Sequence, residues 1–192
     1  MKNALIAGAS LAAIAAIVPA AAPTAAWAQD TAASDNIGAY VNLGLAHADG
    51  PRIGKKLDAE VLQGRVGYRF HPNFGVEAEG GIGLSGSGTG IYDANFNEAR
   101  AKLDYQVAGY GVGYLPLGSN TDLFARVGYG TSKIKVSNLP GVTDNYESVN
   151  YGFGAQHRFD GVNGVRVDYT RYDFNHDRGH SDVFAVAYTR RF

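Results

Sequence analysis

Two neighbouring segments set the problem that this chain has to solve. In residues 57–70, Leu62, Val66, Tyr68 and Phe70 fall on one face of a strand and Gln63, Arg65 and Arg69 on the other, because strand side chains alternate with period two. His71-Pro72-Asn73 is a tight-turn sequence. Residues 74–84 then resume the pattern, with Phe74, Val76, Ala78, Ile82 and Leu84 on one side and Gly75, Glu77, Glu79, Gly81 and Gly83 on the other. Arginines of one strand thus share a side with glutamates of the next, and the opposite side is apolar. An unpaired buried charge is costly, so charged faces of opposite sign, thinned by glycine, are expected to meet inside something closed.

The same alternation recurs along the chain. Residues 37–46 place Ile37, Ala39, Val41, Leu43 and Leu45 against Gly38, Tyr40, Asn42 and Gly44. Residues 123–136 place Leu123, Ala125, Val127 and Tyr129 against Arg126, Gly128 and Gly130. Residues 146–159 place Val149, Tyr151, Phe153, Ala155 and Phe159 against Asn150, Gly152, Gln156 and Arg158. A seventh strand starts at Val165, with Arg166 and Asp168 on the face opposite Val167 and Tyr169. The last strand, 182–192, carries Phe184, Val186, Tyr188 and Phe192 against Ala185, Ala187, Thr189 and Arg191. The fourth strand, 101–115, changes phase: Leu103, Tyr105 and Val107 are followed by Tyr110, Val112 and Tyr114 in the opposite phase. Either a bulge near Ala108-Gly109 shifts the register or these side chains fill the interior. The bulge is the preferred alternative.

Eight strands result, with no segment of helical period. The connections alternate. Residues 47–56, 85–100, 137–145 and 174–181 read as long loops, and 71–73, 116–122 and 160–164 as short turns, from their Gly, Pro, Asn and Asp content. Long loops at one end and short turns at the other, joined by strands of about ten residues, are the pattern of a transmembrane β-barrel. Mean hydropathy is only -0.16, which suits a wall in which one residue in two faces lipid. A terminal strand of this kind cannot keep an open edge in lipid, so it must pair with the first.

Composition narrows the function classes. The chain has no cysteine, which excludes disulfides and cysteine metal sites. A formal net charge of -1 from 17 basic and 18 acidic residues argues against nucleic acid as a partner. Residues 1–28 are a different material: Lys2, an apolar alanine-rich run, then Ala26-Trp27-Ala28 before Gln29. This is the organisation of a cleavable signal peptide, with the cut between Ala28 and Gln29. Residues 29–36 read as a short flexible segment and 37–192 as the barrel.

Gly67-Tyr68-Arg69-Phe70, Gly111-Val112-Gly113-Tyr114 and Tyr188-Thr189-Arg190-Arg191-Phe192 together resemble the small eight-stranded outer-membrane β-barrels, the group of the OmpA membrane domain, OmpX-type adhesins and opacity-like proteins. The resemblance spans 37–192. It implies an all-β, eight-stranded antiparallel up-and-down barrel in the cell outer membrane. It implies as partners membrane lipid and lipopolysaccharide, surface or host ligands at the loops, and the barrel-assembly machinery through the C-terminal strand. Arg190 departs from the family's usual tyrosine or apolar residue and is expected to snorkel.

Two sets of positions follow. Tyr68, Phe70, Phe74, Tyr114, Phe159 and Phe192 flank the short turns or end the chain and form the expected periplasmic aromatic girdle. Arg65, Arg69, Glu77, Glu79, Lys102, Asp104, Arg126, Arg158, Arg166 and Asp168 form the expected interior charge network, read as a salt-bridged plug, since an eight-stranded interior is about filled by side chains. No catalytic, cofactor or metal residue is assigned. The polar run from His176 to Asp182 has the residue types of acyl chemistry or of a metal site but matches no spacing for either. Arg52, Lys55 and Lys56 read more simply as a solvated loop than as a phosphate contact. Gly86-Ser87-Gly88-Thr89-Gly90 lacks the GK[ST] of a phosphate loop. The expected role is structural or adhesive, with a small passive or gated pore as the second reading and a lipid A-modifying enzyme as the third.

Overall fold

The structure is a computed structural model and describes residues 36–53, 55–92, 98–137, 143–175 and 179–192. The expected signal peptide, its cleavage point and all but the last residue of the flexible segment lie outside the described residues. The elements are β1 (Gly38–Ile53), β2 (Lys55–His71), β3 (Phe74–Gly83), β4 (Gly86–Tyr92), β5 (Glu98–Pro116), β6 (Thr121–Ser137), β7 (Thr143–Arg158), β8 (Asn163–Phe174) and β9 (His180–Arg191). β3 and β4 are successive parts of one stave, since both pair with β5. The staves are antiparallel to their neighbours in the order β3-β2-β1-β9-β8-β7-β6-β5-β4, and the β3–β5 pairing closes the ring at eight.

Closure runs through the first and last strands, from Tyr40 opposite Arg191 to Asp49 opposite Asp182. This is the pairing that the apolar face of residues 182–192 demands, and it leaves no sheet edge in lipid. Burial alternates along each stave. Val66, Val127 and Phe153 point outward at 59, 60 and 65% exposure, while Arg65, Arg126 and Gly152 point in. The apolar surface is on the outside because lipid is the solvent there.

Three expectations need correction. Residues 47–56, 85–100 and 137–145 are not wholly loop: β1, β2, β4, β5, β6 and β7 all continue into them. Their Gly, Lys and Asp content reads as loop, yet the cross-strand ladders run on through them. The bulge of the fourth strand is not at Ala108-Gly109. The register of β5 on β6 shifts between Leu103 and Tyr105 instead, with Asp104 as the extra residue. Beyond it, Tyr110, Val112 and Tyr114 are buried in the lumen. Tyr114 therefore does not belong to the girdle, whereas Tyr68, Phe70, Phe74, Phe159 and Phe192 are all exposed on the outside.

The turn at 159–162 is built by Asp160, which accepts the backbone N–H groups of Val162 and Asn163 at 3.0 and 2.6 Å, with Gly161 at φ +81°. Hydrogen bonds from Asn163 hold the Asp160 carboxyl below the usual carboxylate range. At the opposite end His47 Nδ1 lies 2.9 Å from Glu60 Oε1, its cross-strand partner. That hydrogen bond raises the His47 pKa against the opposing effect of burial.

Two outcomes are expected. The Tyr40 ring lies across Gly67, where a Cβ would stand 2.3 Å from Tyr40 Cζ, but nothing lies within 4 Å of a Cβ at Gly80. Gly67→Ala should cost about 1–3 kcal/mol by overpacking and Gly80→Ala close to nothing, read as urea unfolding midpoints in vesicles. For His47, a raised folded pKa means that its stabilisation is complete below the unfolded pKa, about 6.5, and is lost as pH rises through the folded pKa. The midpoint difference between wild type and His47→Gln should therefore be larger at about pH 5.5 than at about pH 8.5.

Candidate functional site: the charged barrel interior

Inward positions alternate with lipid-facing ones, so each stave delivers a polar side chain to the lumen about every 7 Å. The upper of two ionic layers centres on Glu79. Its Oε2 accepts from Arg65 Nε at 2.7 Å and Arg126 Nη1 at 2.8 Å, and its Oε1 accepts from the Tyr172 hydroxyl at 2.6 Å. Arg65 also forks onto both oxygens of Asp168, each at 2.9 Å. Arg166 binds Glu77, which accepts a second bond from the Tyr40 hydroxyl at 2.7 Å. Arg126 reaches all three carboxylates, Glu79 at 2.8 Å, Asp168 at 3.1 Å and Glu77 at 3.6 Å. Three guanidinium groups and three carboxylates balance here, and all six residues are buried.

The lower layer sits at the short-turn end. Asp122 accepts from Arg158 at 2.6 Å, Gln156 at 2.9 Å and Arg69 at 3.2 Å. The remaining donors go to turn carbonyls: Arg69 to Pro72 and Arg158 to Ser119. Arginine is the residue for such a place. Its fork satisfies several acceptors at once, and it cannot escape the desolvation cost by losing its proton.

The corrected phase of β5 now has a cause. Arg69 stacks over Tyr114 at 4.1 Å, and Arg126 over Tyr110 at 4.4 Å. Arg166 stacks over Phe124 of β6 at 3.9 Å. Inward aromatic faces cover the guanidinium planes that no carboxylate reaches, and the Tyr110 and Tyr114 hydroxyls join the network.

Of the expected interior charges, Arg65, Arg126, Arg166, Glu77, Glu79 and Asp168 meet in the upper layer, and Arg69 and Arg158 in the lower. Lys102 and Asp104 do not join them. The Asp104 bulge lies above the plug, where Lys102 is exposed and Asp104 pairs with Lys135 at 3.0 Å. Sequence reasoning missed Asp122, Tyr40, Tyr172 and Gln106 as members. Asp122 had a readable signal: it shares parity with Arg126 and was placed in the preceding turn.

Of the polar run from His176, residues 176–178 lie outside the described residues. Asp182 is engaged by the Tyr169 hydroxyl at 2.6 Å and by Arg171 at 2.9 Å. Among the described residues, one group could offer metal ligands: His47, Asp49 and Asp58, with one atom each within 4.8 Å of the others. Register brings it together, since Asp49 lies opposite Asp58, and no sequence spacing marks it. His47 is already bonded to Glu60, so the group is read as a rim ion-pair cluster.

The sequence matches a family model, the outer membrane protein β-barrel domain, over residues 9–192. No protein of curated function matches it. The fold is similar to that of Ail, the attachment invasion locus protein of Yersinia pestis, solved with the heparin analogue sucrose octasulfate (19% identity, 80% of this chain and 97% of that one, TM-score 0.59). It is also similar to Neisserial surface protein A (13% identity, 81 and 97% covered, TM-score 0.60). The N-terminal β-barrel domain of Pseudomonas aeruginosa OprF is a third (10% identity, 78 and 96% covered, TM-score 0.52). With a closed eight-stranded wall that is apolar outside and ion-paired inside, this protein belongs to the outer membrane protein β-barrel domain family and resides in the outer membrane.

Proposed function

We propose that the protein is a non-catalytic, non-conducting barrel that supports the envelope and offers its outer loops to surface ligands. The observation that carries this reading is the charge-balanced plug of Arg65, Arg126, Arg166, Glu77, Glu79 and Asp168 across the lumen. A lumen filled in this way gives the wall rigidity and leaves the outer segments as the variable surface, in keeping with the general placement of function on loops held by a rigid scaffold. Ail, solved with a polysulfated sugar, supports testing such sugars as loop ligands. Lipopolysaccharide is the proposed lipid contact, and the C-terminal strand ending at Phe192 is the proposed signal to the assembly machinery.

The second reading, a gated pore, draws on one specific feature: Arg126 touches all three carboxylates, so a partner exchange needs only a small motion. Planar-bilayer recordings from refolded wild-type protein separate the two. Silence supports the plug, and discrete openings would sink it. A deletion strain should become more permeable to dyes or adhere less, and a strain unchanged in both would remove the envelope role. Glu79→Gln leaves two buried guanidinium groups short of charge. It should cost about 3–5 kcal/mol, measured by urea unfolding in vesicles, and a loss below about 1 kcal/mol would show that the plug is not a coupled unit.

A further inference from the structure

Above the plug the lumen changes character. Ala46, Val61, Tyr172, Val183 and Ala185 form a buried collar. Over it lies a cavity of about 80 Å³, walled by Ala48 of β1, Leu103 of β5, Ile134 of β6, Phe174 of β8 and Val183 of β9, and reaching the exposed Lys102.

Gln106 and Ser132 line it together with the polar side chains of Asp58, Tyr172 and Ser181. Ser132 is 4% exposed and Gln106 7%. The Gln106 amide nitrogen donates towards Glu79 at 3.3 Å and Tyr172 at 3.2 Å, which fixes the side chain's orientation. The amide oxygen is then the free end. Gln106 and Ser132 both line the cup, so this oxygen and the Ser132 hydroxyl are within reach of an occupant.

We propose that this cup is a binding site for a small neutral molecule with an apolar body and one hydrogen-bond donor at its buried end, a phenol or a short branched alcohol. The donor meets the Gln106 oxygen, the ligand's own oxygen accepts from Ser132, and the body lies against Leu103, Ile134, Phe174 and Val183. The lining is mostly apolar, which suits an organic body better than water alone. The site is separate from the plug and does not depend on whether the plug conducts.

The test is methyl NMR of the full mature barrel refolded in detergent micelles and titrated with phenol. Partition into the micelle is the competing effect, and the lipid-facing methyls of Val127 and Val167 report it. The expected result is a saturable shift at Leu103, Ile134 and Val183, against a small, linear drift at Val127 and Val167. Ser132→Ala should weaken phenol about 2–10-fold, the worth of one hydrogen bond, and leave toluene unchanged. Ala48→Phe, which fills the cup from its rim, should abolish the saturable shift. Cup methyls that drift in parallel with the lipid-facing ones, or that do not respond because the chain's own outer segments fill the cup, would overturn the proposal. So would equal phenol affinity in wild type and Ala48→Phe.

Discussion

Hydrocarbon offers no hydrogen bonds, and the rest of this structure depends on that constraint. Every backbone N–H and C=O at membrane depth must find a partner in the wall, so the first strand must meet the last. The Tyr40–Arg191 to Asp49–Asp182 ladder does so. Closing at eight staves fixes the bore at a width that side chains fill. What fills it is set by register. Arg126 lies opposite Gly152, Arg166 opposite Ala187, and Asp168 opposite Ala185. On these ladders large charged residues face small ones, and on the β2–β3 ladder Arg65 lies opposite its own partner Glu79. A slip of one residue would send the arginines into lipid and the apolar belt into the lumen, so wall and filling specify each other.

The filling has an energetic logic of its own. Buried ion pairs are poor sources of net stability, because desolvation offsets most of their attraction. They penalise incompleteness instead. Each guanidinium here has carboxylate, carbonyl, hydroxyl or aromatic partners, and each carboxylate accepts from at least two side chains. Removing one member strands the others. The plug acts as a set of mutual constraints on strand register, which is a better description of its role than added stability.

Much of this was legible in the sequence, and the reason is parity. Once Phe74, Val76 and Ala78 face lipid, Glu77 and Glu79 must face the lumen, and the same counting placed Arg65, Arg126, Arg158 and Arg166. Parity fails where a residue is inserted without a sequence mark. The Asp104 bulge is such a place: it took Lys102 and Asp104 out of the network, whereas Tyr110 and Tyr114 follow plain parity counted from the outward Tyr105 and face the lumen, because the register is unbroken at Ala108-Gly109. Strand ends were also illegible, because residues of turn-forming type there take part in the ladders without breaking them. Stacking of arginine on Tyr110, Tyr114 and Phe124 brings each ring a partner from a different stave, and no local pattern encodes it.

The apolar collar and the two ionic layers place three obstacles in series along the lumen. An ion entering from the outer side first meets the collar of Ala46, Val61, Tyr172, Val183 and Ala185, in which the Tyr172 hydroxyl is already bonded to Glu79. Past the collar it meets carboxylates already committed to arginines and arginines committed to carboxylates. At the short-turn end Asp122 sits between Arg69 and Arg158, whose other donors are tied to turn carbonyls. Partner exchange in the upper layer alone would therefore leave the path shut. Conduction would require the collar to wet and the lower layer to open together, and these barriers share no residue. Their independence is the strongest physical argument that the resting barrel is closed.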